Sequence, residues 1–323
     1  MDLFVFSLSI IGGIIGLVWS ADKFVLGAST TARNLGVSVL VIGLTVVSFG
    51  TSAPEILTSG TAALQGKPEL AIGNVLGSNI TNIGLVLSIT ALICPIVIPK
   101  TLLKEELPAL LIITLAAVYI FYDLSIDWTD GIILLVLLAG FTWFILKVKK
   151  SSPQAHSLEL EEAAEHIADI STGKALGLML FGLILLLISA NVLVYGATGI
   201  ALALGVSELI IGLTIVAIGT SLPELAASVA GALRGHHDLA LGNVVGSNIL
   251  NLVLVLPVPA FLAPVTIAPV VFWRDTAFML FMTFVLIVVI ALNVKFKQSI
   301  GRLVGVVLLL LYISYTGLLV VMR

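Results

Sequence analysis

One stretch of this sequence occurs twice and limits what the chain can fold into. Residues 43–55 read GLTVVSFGTSAPE and residues 212–224 read GLTIVAIGTSLPE. Each is an apolar run interrupted by Gly, Thr, Ser and Pro, and each ends in a glutamate, Glu55 or Glu224. A carboxylate inside a long apolar run is costly unless something pairs with it. Any fold must therefore bring partners to these two side chains.

The setting is a membrane. Hydrophobic residues make up 59% of the 323 and charged residues 10%, where a soluble domain carries about 25% charged residues. The mean hydropathy is +1.22. About 20 apolar residues cross a bilayer. Ten such windows are predicted, at 3–27, 36–64, 69–93, 106–122, 129–147, 174–202, 205–233, 238–262, 270–292 and 301–321. The expected fold is an all-α membrane protein of ten transmembrane helices. The first window lacks a basic flank and a cleavage site, so it reads as a retained helix and not a signal peptide. With the N-terminus outside, the inner loops hold Lys23, Arg33, Lys100, Lys104, Lys147, Lys149, Lys150, Lys174, Arg234, Lys295, Lys297 and Arg302. Only Lys67, Arg274 and Arg323 fall outside. Cytoplasmic loops are enriched in Lys and Arg, so both termini are placed outside and the loop after span 5 in the cytoplasm. The expected location is the plasma membrane (the inner membrane in a bacterium).

The halves of the chain are related. A shift of 169 residues superposes Glu55 on Glu224, Gly73-Asn74 on Gly242-Asn243, Gly77-Ser78-Asn79-Ile80 on Gly246-Ser247-Asn248-Ile249, and Asn82 on Asn251. About three positions in five agree between 35–87 and 204–256, which marks an internal repeat. The predicted layout is a first five-span repeat over 1–147, a cytoplasmic linker over 148–173 and a second five-span repeat over 174–323. An odd span number makes the second repeat enter from the opposite face. Inverted repeats with broken helices at their interface characterise secondary transporters.

The repeated stretch explains the break. Pro54 and Pro223 lack an N–H and clash with the carbonyl four residues back, that of Gly50 or Gly219. Spans 2 and 7 are therefore predicted to be broken. Thr51, Ser52, Thr220 and Ser221 add hydroxyls at the breaks, and Glu55 and Glu224 add carboxylates. Clustered carbonyl, hydroxyl and carboxylate oxygens suit a hard cation, and Ca²⁺ takes about 6–8 of them. Ser78 and Asn82, four apart, share a helix face, as do Ser247 and Asn251. Gly73 with Gly77 and Gly242 with Gly246 permit close helix approach. Asn74, Asn79, Asn243 and Asn248 fit equally well as caps or as inter-helix bonds. Asp22, near the inner end of span 1, reads as an interfacial residue or the partner of a nearby Lys or Arg. Trp273 and Tyr315 are candidates for interfacial belts.

Other chemistry is unsupported. The single cysteine, Cys94, allows no intramolecular disulfide and reads as a buried, inert thiol. His156, His166, His236 and His237 lie in or beside loops. P-loop, HExxH, CxxC and GxSxG patterns are absent. The chain is not expected to be an enzyme, to carry a cofactor or to bind nucleic acid, and a monomer in the lipid bilayer is expected.

GTSAPE and GTSLPE, each followed by GNVLGSN or GNVVGSN, resemble the two alpha repeats of the sodium/calcium exchangers in the cation/calcium exchanger superfamily, and most of all its bacterial YrbG-like branch. The resemblance covers the whole chain in span count and repeat layout. It implies alternating access, with one Ca²⁺ exchanged for about three Na⁺, in the service of calcium homeostasis. It also implies that Glu55 and Glu224, with Thr51 and Thr220, hold Ca²⁺. Ser52, Ser221, Ser78, Ser247, Asn82, Asn251, Ser48 and Ala217 would line the sodium positions, Ser48 and Ala217 through backbone carbonyls. Potassium-dependent and some archaeal relatives carry an acid where Asn251 stands, so K⁺ coupling is in question. A proton/calcium antiporter is the alternative transporter and a cation channel the alternative of another class.

Overall fold

The structure, a computed structural model, describes residues 2–99, 101–150, 170–205, 215 and 217–321. Most of the 148–173 linker and the first part of span 7 lie outside these residues. The chain forms α1 (Asp2–Leu35), then a bent pair of α2 (Val39–Thr51) and α3 (Ala53–Leu64). Next come α4 (Pro68–Ile93), α5 (Glu106–Ile120) and α6 (Trp128–Lys150). The second half repeats the order. It contains α7 (Thr172–Ala203), α8 (Ala217–Thr220), α9 (Leu222–Leu233), α10 (His237–Leu262), α11 (Val271–Lys295) and α12 (Arg302–Val321). Among the described residues, eight helices are long and apolar enough to cross a membrane, or nine with the α2–α3 pair, which bends by 41°. The predicted span 7 corresponds to α8 and α9. The first helix runs to Leu35, beyond the window at 3–27, because polar Ser29, Thr30 and Thr31 are buried within it rather than ending it.

Local chemistry sets the same boundaries in both halves. Gly36, Gly66, Gly205 and Gly235 have φ of +66°, +70°, +78° and +81° just past the ends of α1, α3, α7 and α9. A left-handed residue closing a helix is normally glycine, and the four fall into two pairs spaced by the repeat. Pro68 opens α4, where its missing N–H has no helical partner to lose.

Packing shows the inversion. Helices α1 and α7 are equivalent, yet they run antiparallel. Gly13 faces Leu193, Gly16 faces Ser189, Gly182 faces Phe24 and Gly196 faces Phe6 and Ile10. Near the pseudo-twofold axis, equivalent residues of α4 and α10 meet, with Asn248 Nδ2 donating to the Asn79 carbonyl at 3.4 Å. The loops obey the same rule. Ile96 bridges to Ile300, while β1 (Ser125–Ile126) pairs antiparallel with β2 (Val265–Thr266), joining Ile126 to Val265. Ile96 and Val265 are repeat equivalents. This bridge and the two-residue strands are the extended pairings among the described residues in an otherwise helical protein.

Helices α4 and α10 are central and α1 is peripheral: 83% of the α10 span window is buried, against 17% for α1. Gly43 lets α2 reach the Leu239 carbonyl, and Gly242 lets α10 reach that of Leu40. Gly242 and Gly246 thus provide the close approach expected of them, toward Leu40, Leu44 and Ser48. The stretch that would match on the other side lies outside the described residues.

The α1–α7 contact yields a direct expectation. A Cβ at Gly182 would lie 2.7 Å from the Phe24 Cα, and backbone cannot yield as a side-chain tip can. Gly182→Val should cost about 1–3 kcal/mol, seen as a lower unfolding temperature in detergent. Gly177→Val on the same helix, where a Cβ meets nothing within 4 Å, should be tolerated.

Candidate functional site

The first break falls at Ser52 (φ −81°, ψ 7°), between α2 and α3, and the second at Ser221 (φ −88°, ψ 4°), between α8 and α9. Pro54 and Pro223 follow within the first two positions of α3 and α9, as the sequence predicts. Glu55 and Glu224 occupy the first turns of these helices and are both fully buried, at 0% exposure. The positive end of each helix dipole favours a carboxylate there.

The two repeats interlock around these carboxylates. Ser52 Oγ of the first repeat donates to Glu224 Oε1 at 3.1 Å, and the Thr51 hydroxyl lies beside that carboxylate. Thr220 of the second repeat hydrogen-bonds Glu55. Ser78 Oγ on α4 donates to Glu55 Oε1 at 3.4 Å. Among the described residues, neither glutamate forms an ion pair with a basic side chain.

Several buried polar atoms have no hydrogen-bond partner among the described residues. They are Glu55 Oε2, Glu224 Oε2, Ser221 Oγ, Ser247 Oγ, and both amide atoms of Asn82 and of Asn251. Asn82 and Asn251 are fully buried, and each is the first residue of a π-helical turn, Asn82–Leu87 and Asn251–Val255. Such turns recur at functional sites. A buried polar atom without a partner carries its full desolvation cost, so these oxygens favour an added cation.

Of the predicted residues, Thr51, Ser52 and Glu55 flank the first break, Thr220, Ser221 and Glu224 flank the second, and Ser78 reaches Glu55 from α4. Ser48 is buried and its Oγ donates to the Gly43 carbonyl at 2.6 Å and to the Asn243 carbonyl at 3.2 Å. Its own carbonyl already accepts the Ser52 N–H at 2.9 Å. Ala217 opens α8, and its side-chain surroundings lie outside the description.

The sequence left Asn74 and Asn243 unresolved between capping and inter-helix bonding, and the structure shows them as inter-helix bonds. Asn74 Nδ2 donates to the Glu55 carbonyl at 3.3 Å and to Ser59 Oγ at 3.0 Å. Asn243 Nδ2 donates to the Glu224 carbonyl at 3.1 Å and to Ser228 Oγ at 3.0 Å. Asn243 Oδ1 also accepts from Thr51 Oγ1 at 3.2 Å. These bonds pin each glutamate's helix to its neighbour. Ser59 and Ser228 were not singled out, although both keep the repeat spacing. Asn243→Leu should remove the bonds that Asn243 makes to Thr51, Ser228 and the Glu224 carbonyl. A loss of about 1–3 kcal/mol is expected, measured as a fall in unfolding temperature larger than that of Asn191→Leu, whose amide bonds its own helix.

Other expectations resolve away from the site. Asp22 pairs with Arg234 and Lys23, the partner role anticipated for it. Trp273 is 73% exposed, as a belt residue would be, but Tyr315 is buried and its hydroxyl donates to Asp275 at 2.9 Å. Cys94 is half-buried, not buried. Buried Glu106 and Asp275, equivalent across the repeat, were missed. Their signal was the repeat spacing itself. Among the described residues there is no group of three or more His, Cys, Asp or Glu able to hold a metal. A cation here would rest on two carboxylates and neutral oxygens, which suits Ca²⁺ or Na⁺ and not soft metals.

Comparison with known proteins agrees with this architecture. Residues 5–147 and 174–321 match the family described as sodium/calcium exchanger protein. The inner membrane protein YrbG of Escherichia coli (strain K12) is 39% identical, over 93% of this chain and 92% of its own. The sodium/calcium exchanger MaX1 of Methanosarcina acetivorans is 30% identical, over 94% of this chain and 95% of its own. The solved structure of the sodium-calcium exchanger NCX_Mj soaked with 10 mM Na⁺ and 10 mM Sr²⁺ superposes with a TM-score of 0.79, at 36% identity, over 98% of both chains.

Proposed function

This chain belongs to the sodium/calcium exchanger protein family, and we propose that it exchanges Ca²⁺ for Na⁺ at one site shared by its two repeats. It is a multi-pass membrane antiporter of the cation/calcium exchanger type, with the ten-helix inverted-repeat fold of NCX_Mj, and not an enzyme. The observation that carries the finer reading is the pair of fully buried, unneutralised glutamates, Glu55 and Glu224, each hydrogen-bonded by a hydroxyl of the opposite repeat.

The mechanism follows from charge. The two carboxylates give the site a charge near −2. One Ca²⁺ neutralises it, and so do two Na⁺; a third Na⁺ leaves the complex positive. The ions therefore compete for overlapping oxygens instead of binding together. Glu55 and Glu224 are the ligands common to both ions, with Thr51 and Thr220 beside them for Ca²⁺. Ser52, Ser221, Ser78, Ser247, Asn82, Asn251 and the carbonyls of Ser48 and Ala217 supply the sodium positions. Because each repeat contributes half of the ligands, a rigid movement of one bundle against another opens the site to one face at a time. With the basic loops inside, both termini face outward from the inner or plasma membrane, and Ca²⁺ is moved across it.

The test is ⁴⁵Ca²⁺ uptake into proteoliposomes under separate outward gradients of Na⁺, K⁺ and H⁺. Uptake driven by Na⁺ alone is expected. Uptake driven by H⁺ would establish the proton antiporter instead, and a gradient-independent leak would establish a channel.

A further inference from the structure

The inverted repeat makes every contact between the halves testable against its counterpart. Residue 22 on α1 corresponds to 191 on α7, and residue 234 corresponds to 65. Arg234 and Gln65 cap α9 and α3 with nearly identical backbone angles, φ −86° and ψ 2° against φ −83° and ψ 6°. A symmetric molecule would join 22 to 234 and 191 to 65 alike.

This one does not. Arg234 Nε donates to Asp22 Oδ1 at 2.7 Å, and a second guanidinium nitrogen contacts the same oxygen. Lys23 Nζ adds a contact to Asp22 Oδ2 at 3.2 Å. The Asp22 and Arg234 side chains are 38% and 27% exposed. Across the axis the equivalent residues are the uncharged Asn191 and Gln65. Asn191 Nδ2 donates to the Leu187 carbonyl of its own helix at 2.9 Å, and both side chains are exposed. The helices behave likewise. Among the described residues, α1 packs along α9, whereas α7 scarcely touches α3. The structure is thus closed where α1 meets α9 and open where α7 would meet α3.

In an inverted-repeat antiporter, the opposite state exchanges the roles of the two halves. Contact 22–234 must then part while 191 approaches 65. We infer that Asp22 and Arg234 form a charged latch between α1 and α9 that holds one face of the transporter shut, and that Asn191 and Gln65 are its uncharged counterpart, leaving the other face unlatched. The sequence difference therefore biases the access equilibrium toward the state seen here. In the orientation proposed above, the latched face is cytoplasmic. An ion pair of this exposure shifts a two-state equilibrium by about fivefold. The inference rests on the alternating-access reading of the function.

Spin labels at Thr61 on α3 and Tyr195 on α7, both exposed, report closure of the unlatched face in a Cys94→Ser background. Wild type should show a major long and a minor short distance. Asp22→Asn with Arg234→Gln should raise the short population about fivefold. The charge-reversed pair, Asp22→Arg with Arg234→Asp, should restore the wild-type ratio, which separates a latch from damage to folding. Adding Asn191→Asp and Gln65→Arg to the neutral pair should make the short distance the major one. An unchanged ratio in the neutral pair, with two distances in wild type, would overturn the latch while leaving antiport intact. A single distance under Na⁺, Ca²⁺ and ion-free conditions would overturn alternating access, and the latch with it.

Discussion

Glu55→Gln and Glu224→Gln should each abolish calcium exchange while the protein still inserts and folds. Glutamine keeps the shape of glutamate and its ability to accept from Ser78 or Ser52, but removes one of two buried charges. A bound Ca²⁺ would then face a single carboxylate. Leaving a buried charge without its compensation costs about 3–5 kcal/mol, so Ca²⁺ affinity and flux should fall by about 10²–10⁴-fold. Folding should not suffer, because two buried carboxylates with no basic partner among the described residues repel each other in the ion-free protein. The check is ⁴⁵Ca²⁺ flux in proteoliposomes beside a size-exclusion profile of the same preparation. Near-normal flux in either variant would remove these glutamates from the site.

The second large effect separates stability from transport. Asn82 and Asn251 are fully buried, and both amide atoms of each lack a hydrogen-bond partner among the described residues. If these amides served packing, leucine would destabilise the fold. As ion ligands they are a burden on the ion-free protein, and replacing an unpartnered buried polar group by an apolar one of similar size is neutral or stabilising. Asn82→Leu and Asn251→Leu should therefore hold or raise the unfolding temperature, while sodium-driven flux falls by about tenfold or more through loss of a neutral oxygen ligand. A lower unfolding temperature with unchanged sodium dependence would assign both residues to packing.

The repeat made much of this legible in the sequence. Ten apolar windows, an odd number per half and two GTSxPE stretches predicted inverted five-span repeats with breaks before Glu55 and Glu224. These features depend on local chemistry that any observer can read, namely Pro without an N–H and Glu within an apolar run. Tertiary contacts were less legible. That Ser52 would reach Glu224, and not the glutamate of its own repeat, depends on how α3 and α9 cross. Asn74 and Asn243 could have capped helices or bridged them, since an amide serves both uses equally. Tyr315 resembled a belt residue because its position near a span end says nothing about which way its face turns; buried Asp275 draws it inward. Asp22 had several basic candidates nearby in sequence, and its main partner, Arg234, lies 212 positions away.

The proposed exchange requires one cation site, built jointly by Glu55 and Glu224, for which Ca²⁺ and Na⁺ compete. Calorimetric titration of purified protein with Ca²⁺, at stepped Na⁺ concentrations, tests it most directly. One Ca²⁺ per chain is expected, with binding weakened progressively by Na⁺ but not by K⁺, and lost in both Glu55→Gln and Glu224→Gln. Calcium binding that is indifferent to Na⁺, or that survives removal of either carboxylate, would contradict it.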